Sequence, residues 1–185
     1  MKRGSQRLLA AVLGLGLMGS AFAGSAFAVD SPRFDQRLNG EVHHALAMIP
    51  QYTVFDNLSY SIDGGTVTLY GQVRNAIVKD EAAGLVKHLE GVESVKNQIE
   101  ILPASFNDDR IRRQVARAVF SDPRMSSYAI QPVPPVHIIV KNGHVDLVGV
   151  VRTQADKDAA FIRANGVPGV FSVQNNLQVE LPARG

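Results

Sequence analysis

Residues 65–97 of this 185-residue chain are spelled a second time 78 positions later, at 143–175, without a gap. Fourteen of the 33 aligned positions are identical, among them Gly65/Gly143, Val67/Val145, Leu69/Leu147, Gly71/Gly149, Gly91/Gly169 and Asn97/Asn175. Such self-similarity marks one supersecondary unit used twice. What recurs is apolar residues, glycines and an asparagine, which is framework, so the repeat constrains fold before chemistry. Each unit is roughly 70–75 residues, a size at which a lone core is marginal. The copies are therefore expected to lean on each other or on a partner.

Lys2, Arg3 and Arg7 precede an apolar run from Leu8 that ends in Ala-Phe-Ala twice, at 21–23 and 26–28. A basic start, an apolar middle and a small-x-small exit predict a secretory signal peptide over 1–28, cleaved after Ala28. The expected compartment is the periplasm. Beyond residue 28 the chain holds 16 basic and 17 acidic side chains, so the formal +2 of the whole chain belongs to its leader. Near-neutrality argues against nucleic acid as a partner. The absence of cysteine excludes disulfides, thiolate metal sites, thiol nucleophiles and a lipidated N-terminal cysteine.

In the first copy, Ser31-Pro32 suits a helix start. Phe34, Leu38, Val42, Ala45, Leu46 and Ile49 recur at helical spacing up to Pro50. Leu58, Tyr60 and Ile62 alternate with serines as a half-buried strand, and Asp63-Gly64-Gly65 turns it into a return strand carrying Val67, Leu69, Gly71 and Val73. Asn75 caps a second helix with an inner stripe of Val78, Ala82, Leu85, Val86 and Leu89, closed by Gly91. Val95, Ile99 and Ile101 make a third strand. Asn97 shares their inward parity and is expected to satisfy backbone groups inside a loop. The order helix, strand, strand, helix, strand implies antiparallel pairing of the first two strands and a parallel crossover to the third.

The second copy begins with a helix capped by Asn107 or Asp108, with Ile111, Val115, Ala118 and Val119 inside. Here the offset between copies is 73, so five residues were inserted before the strands. They fall in the stretch 125–135, where Pro132, Pro134 and Pro135 predict a stiff surface loop. Val136, Ile138 and Val140 form a strand, and Asn142-Gly143 is a strong hairpin turn. Thr153 with Asp156 resembles a capping box. The helix it opens has Arg163, Gly166 and Pro168 where the first copy has Leu85, His88 and Glu90, and is expected to be shorter or frayed. The predicted class is α+β: two αββαβ domains, each a three-stranded mixed sheet packed against two helices. The expected bounds are 29–102 and 108–185, with a linker over 103–107.

The pattern Gly65-x-Val67-x-Leu69-x-Gly71-x-Val73, a helix, then Gly91-Val92-x-x-Val95-x-Asn97-x-Ile99 resembles the BON domain (bacterial OsmY and nodulation domain). Gly143-x-Val145-x-Leu147-x-Gly149-x-Val151 with Gly169-Val170-x-x-Val173-x-Asn175-x-Leu177 repeats the resemblance. A tandem pair behind a leader is similar to osmotically inducible, OsmY-like periplasmic proteins, and differs from dual-domain outer-membrane lipoproteins by lacking the cysteine. The resemblance implies no catalysis and a role in binding phospholipid or supporting the envelope under osmotic and other stress. Gly71 and Gly149 sit at inward strand positions, where a missing side chain is expected to admit a helix.

One cluster suggests a ligand. Arg110, Arg112, Arg113 and Arg117 crowd the first helix of the second copy, with Arg124 close behind. Arg110, Arg113 and Arg117 share a face. Such a stripe can hold anionic lipid head groups at roughly 1 kcal/mol per basic residue, with Phe120, Met125 and Tyr128 expected to dip toward the acyl boundary. The competing reading is a solvated face balanced by Asp108, Asp109 and Asp122. The expected partner is anionic phospholipid or the membrane surface, with envelope proteins as the alternative through exposed sheet edges. Adjacent His43 and His44 point apart on a helix, and His88, His137 and His144 lie on separate elements, so neither a metal nor a cofactor is expected. Phosphate-binding, dinucleotide and nucleophile-elbow motifs are absent from the sequence.

Overall fold

The computed structural model describes residues 31–131 and 134–180, with side chains from residue 36 onward. The leader and cleavage site, the side chain of Phe34 and Pro132 lie outside the described residues. The first copy runs α1 (Ser31–Ala47), β1 (Asn57–Asp63), β2 (Thr66–Val73), α2 (Ala76–Lys87), β3 (Ser94–Asn97) and β4 (Glu100–Ile101). The second runs α3 (Phe106–Phe120), a short α4 (Ser126–Ala129), β5 (Val136–Lys141), β6 (His144–Val151), α5 (Gln154–Asn165) and β7 (Ser172–Val179). β1 and β2 pair antiparallel, β2 pairs parallel with β3 and β4, and the second sheet repeats this as β5-β6-β7. β3 and β4 keep one register against β2, bridged by the Gln98 N–H on the Leu69 carbonyl. They are one strand path, and each copy is the three-stranded mixed sheet with helices that the sequence implies.

Each copy owns a core. Leu38, Val42, Leu69, Val78 and Ile99 are fully buried in the first, and Ile111, Val115, Ile138, Leu147 and Leu177 in the second. Every such side chain contributes about 1.5–3 kcal/mol on leaving water. Two residues expected inside are not: Leu85 and Ile101 are exposed, because the stripe of α2 narrows to Val78, Ala82 and Val86 and β4 is the end of an edge.

The repeated glycines have a different cause from the one expected. Gly71 and Gly149 stand at φ +119° and +120°. A Cβ there would lie 1.9 Å from the carbonyl oxygen of Asn57 or 2.0 Å from that of Pro135. The close neighbour is the backbone of the adjacent strand, not a helix. At the β5–β6 turn Asn142 and Gly143 both take positive φ, as a two-residue hairpin of primed type requires.

Four local expectations in the second copy are corrected. Ser105 caps α3, through the Asp108 N–H, and the helix starts at Phe106 inside the expected linker. The freed Asp108 carboxylate is buried and accepts the N–H groups of Asn142 and Gly143, tying α3 to the hairpin. The inserted stretch is not wholly an extended surface loop: it forms α4 and sends Met125 and Tyr128 into the core. α5 has 12 residues, as α2 does, and is not shortened.

The copies interlock through residues 53–56. Val54 and Phe55 pack against the second core, and the Val54 carbonyl accepts the Ile138 N–H at 2.8 Å on the free edge of β5. Asp56 holds the loop in shape by accepting from the Thr53 N–H and hydroxyl and from the Arg74 N–H. Arg74 pairs with Asp109 at 3.2 Å, and Lys141 with Glu100 at 2.6 Å. As a result β5 is buried on both faces.

Candidate functional site: the basic face of the second copy

The predicted arginine cluster divides into two groups once α3 is placed. Arg112 lies on the inner side, only 2% exposed, donating to the Asp109 carboxylate at 2.7 Å and to the Val140 carbonyl. It clamps α3 to β5 and is not available to a membrane surface. Arg110 is half-buried and folded back, donating to Asn107 and Gln114, with its guanidinium lying over Gly169. Arg113, Arg117 and Arg124 are exposed, and among the described residues Arg113 and Arg117 make no ion pair.

The aromatic part of the prediction is corrected. Tyr128 is buried, donating to Asp156 at 2.8 Å while its oxygen accepts the Arg152 N–H. Met125 is fully buried, and Phe120 packs partly against the core. None of the three reaches outward. Asp156 likewise turns to Tyr128, so Thr153 caps α5 without the reciprocal half of a capping box. The acids expected to neutralise the stripe are also engaged elsewhere. Asp108 holds the hairpin and Asp109 holds Arg74 and Arg112. Asp122 accepts from the Arg124 N–H and from Arg163, which together keep its carboxyl below the usual carboxylate range.

The apolar surface beside the free cations comes from residues that helical spacing on α3 alone did not reveal. A groove of about 520 Å³ runs between α3 and α5, lined by Gln114, Arg117 and Arg163 together with apolar Ile162, Val167 and Pro168. Ile162 is 67% exposed. Phe171, 74% exposed, stands over Gly143 beside His144 at the hairpin end of the same copy. A signal for both existed in the alignment of the copies: Ile162 replaces Gly84 and Phe171 replaces Glu93.

The repeated asparagines are structural. Asn97 donates to the Lys79 carbonyl and accepts the Ile99 N–H. Asn175 donates to the Lys157 carbonyl at the same 2.9 Å, but its Oδ1 is buried without a partner. Among the described residues no group of three or more His, Asp or Glu is placed to hold a metal, and no helix is long and apolar enough to cross a membrane.

The BON domain family model matches residues 35–103 and again 107–180. The chain is 32% identical over 173 residues to the outer membrane lipoprotein DolP of Haemophilus influenzae, covering 91% of this chain and 86% of that protein. It is 32% identical over 127 residues to the osmotically-inducible protein Y of Escherichia coli, covering 67% of this chain and 62% of that one, less than two thirds of its length. Among solved structures, the C-terminal domain of CdsD, a type III secretion protein of Chlamydia trachomatis, aligns over 78% of this chain and 98% of its own at 17% identity. The TM-score is 0.28, a superposition too loose to inform the fold.

Proposed function

The chain belongs to the BON domain family, and from that premise we propose that it is a non-enzymatic binding module of the bacterial envelope, acting in the periplasm on the surface of anionic phospholipid through its second copy. The observation that carries this is the pairing of unneutralised Arg113 and Arg117 with exposed Ile162 and Phe171 on one copy. Basic residues near an anionic bilayer contribute about 1 kcal/mol each, and an apolar side chain entering the interface adds roughly 25 cal/mol per Å². The similarity to an outer membrane lipoprotein and to an osmotically inducible protein supports an envelope role. Flotation with anionic vesicles tests it. Arg113→Glu with Arg117→Glu is expected to lower the bound fraction at least about tenfold, and added salt to weaken wild-type binding steeply. Equal flotation of both proteins would sink the reading.

A second reading, a protein-interaction adaptor, is favoured by one feature. β7 is an unbroken eight-residue edge without a charged side chain, whereas its counterpart carries Lys96 and Glu100 and is interrupted. Natural edges are usually blunted by charge or breaks. Binding by strand addition would persist in high salt.

A further inference from the structure

The inserted and interlocking segments create a second concave site, unrelated to the basic face. A cleft of about 400 Å³ lies between the copies. Leu46, Tyr52 and Asn57 supply one wall, and Pro135, His137 and Val150 the other. That volume falls within the roughly 300–1,000 Å³ of small-molecule sites, which favour domain interfaces. Neither copy alone encloses it. We propose that this cleft binds a small, uncharged, ring-bearing molecule with a single hydrogen-bonding group.

The chemistry of the walls selects that class. The described lining contains no Asp, Glu, Lys or Arg, and besides His137 its one imidazole is His43 on the exposed side of α1. A charged ligand would lose hydration there without gaining a counter-charge, which is strongly unfavourable. The two most buried polar side chains are held neutral. Burial pushes the Tyr52 phenol up to about 12. Burial also lowers His137 from its usual 6.5, against the opposing pull of the Thr53 backbone and Asp56. The two rings lie 5.3 Å apart at 32°, with the Tyr52 hydroxyl 3.3 Å from His137 Nε2. Half-buried Tyr52 and Pro135 offer flat, apolar surface on which a ring stacks, and the buried His137 ring backs Tyr52 from behind. Asn57 lines the cleft, and no hydrogen bond of its side-chain amide is made among the described residues. That amide both donates and accepts, and fixes one polar group of the guest.

The same arrangement argues for binding rather than turnover. A phenol held protonated is a poor nucleophile. The nearby carboxylate, Asp56, is committed to Thr53 and Arg74 and does not orient His137 as a base.

Two dyes with the same rings distinguish this site. N-phenyl-1-naphthylamine is neutral, and 8-anilino-1-naphthalenesulfonate carries a sulfonate. Titrated into the mature chain, which contains no tryptophan, the neutral dye is expected to give saturable one-to-one fluorescence. Its affinity should exceed that of the sulfonate by at least about tenfold. Val150→Trp, at a partly exposed strand position, should fill the cleft and weaken the neutral dye about tenfold or more. Asn57→Leu, checked as folded by circular dichroism, should weaken it about fivefold by removing the polar contact. The Arg113→Glu, Arg117→Glu pair should leave the affinity unchanged, which separates this site from the membrane face. Non-saturable binding, preference for the sulfonate, or a folded Asn57→Leu protein of unaltered affinity would each overturn the assignment.

Discussion

Laid over one another, the two copies agree wherever backbone geometry is demanding and part company wherever a side chain meets its surroundings. Gly71 and Gly149 take the same φ to within a degree, and Asn97 and Asn175 reach carbonyls 18 residues back at the same distance. By contrast Asn39, Gly40 and His44 in α1 become Arg112, Arg113 and Arg117 in α3, and Glu93 becomes Phe171. Asn39 accepts the Tyr60 hydroxyl at an exposed seam, whereas Arg112 is buried under β5. The difference teaches that the repeat shares a frame, and that only the second copy carries Arg112 on the inner side and Arg113 and Arg117 on the outer side of its first helix. Only the outer ones are free to meet a ligand.

The frame should break equally in both copies. Gly71→Ala and Gly149→Ala each force a Cβ onto the oxygen of a neighbouring strand at positive φ, and backbone cannot yield as a side chain does. Each is expected to cost about 3 kcal/mol or more, read by denaturant unfolding. A loss confined to one copy would mean that the shared geometry is not shared energetics.

The inner cation should separate the copies. Arg112→Ala leaves the buried Val140 carbonyl without its partner and removes one of two contacts from Asp109. A fully buried pair costs about 3–5 kcal/mol to break; Asp109 is one-third exposed, so about 2 kcal/mol is expected after screening. Asn39→Ala, at the matching exposed site, should cost under about 1 kcal/mol. Vesicle flotation should be unchanged by Arg112→Ala, in contrast to Arg113→Glu with Arg117→Glu.

Much of this frame was legible in the sequence, because glycine, valine and asparagine at fixed spacing report local backbone demands. The strands and the buried stripe of α3 follow from periods of two and 3.6, the Asn142-Gly143 turn from residues that tolerate positive φ, and the strand order from the handedness of the crossover. The site was legible only in part. Spacing placed Arg110, Arg113 and Arg117 on one face, but it could not reveal that Arg112 turns inward. That depends on β5 being covered by the first copy, a contact between residues far apart in the chain. The burial of Met125 and Tyr128 was hidden for a related reason: prolines on either side of a four-residue helix read as loop. Ile162 and Phe171 were visible as substitutions between copies, yet each is a lone apolar residue until α5 and the hairpin end are placed.

The covered strand should also set a pH response in one copy only. His137 occupies the place of Ser59, and Ser59 is exposed while His137 is buried against the interlocking loop. Burial holds its folded pKa below the usual 6.5. The neutral imidazole therefore contributes stability that is full above pH 6.5 and is lost as pH falls through the lowered value. Denaturant midpoints measured from pH 7.5 downward should decline in the wild type and decline less in His137→Phe. Parallel curves would show that the interface does not respond to this residue.

The smallest change in stability should carry an informative change in binding. Glu93 and Phe171 fill the same seat, their side chains lying over the hairpin glycines Gly65 and Gly143. Both are exposed, so Phe171→Glu should alter stability by less than about 0.5 kcal/mol. It removes an apolar ring from the end proposed to meet the membrane, and a ring worth about 1.5 kcal/mol at an interface corresponds to roughly tenfold weaker vesicle binding. The reverse exchange, Glu93→Phe, supplies the ring to a copy whose first helix presents Gly40 and His44 in place of Arg113 and Arg117. Without those cations the added ring should raise flotation far less than Phe171→Glu lowers it. Equal and opposite effects would mean that the ring alone sets membrane affinity and that the arginines, the main contrast between the copies, contribute little.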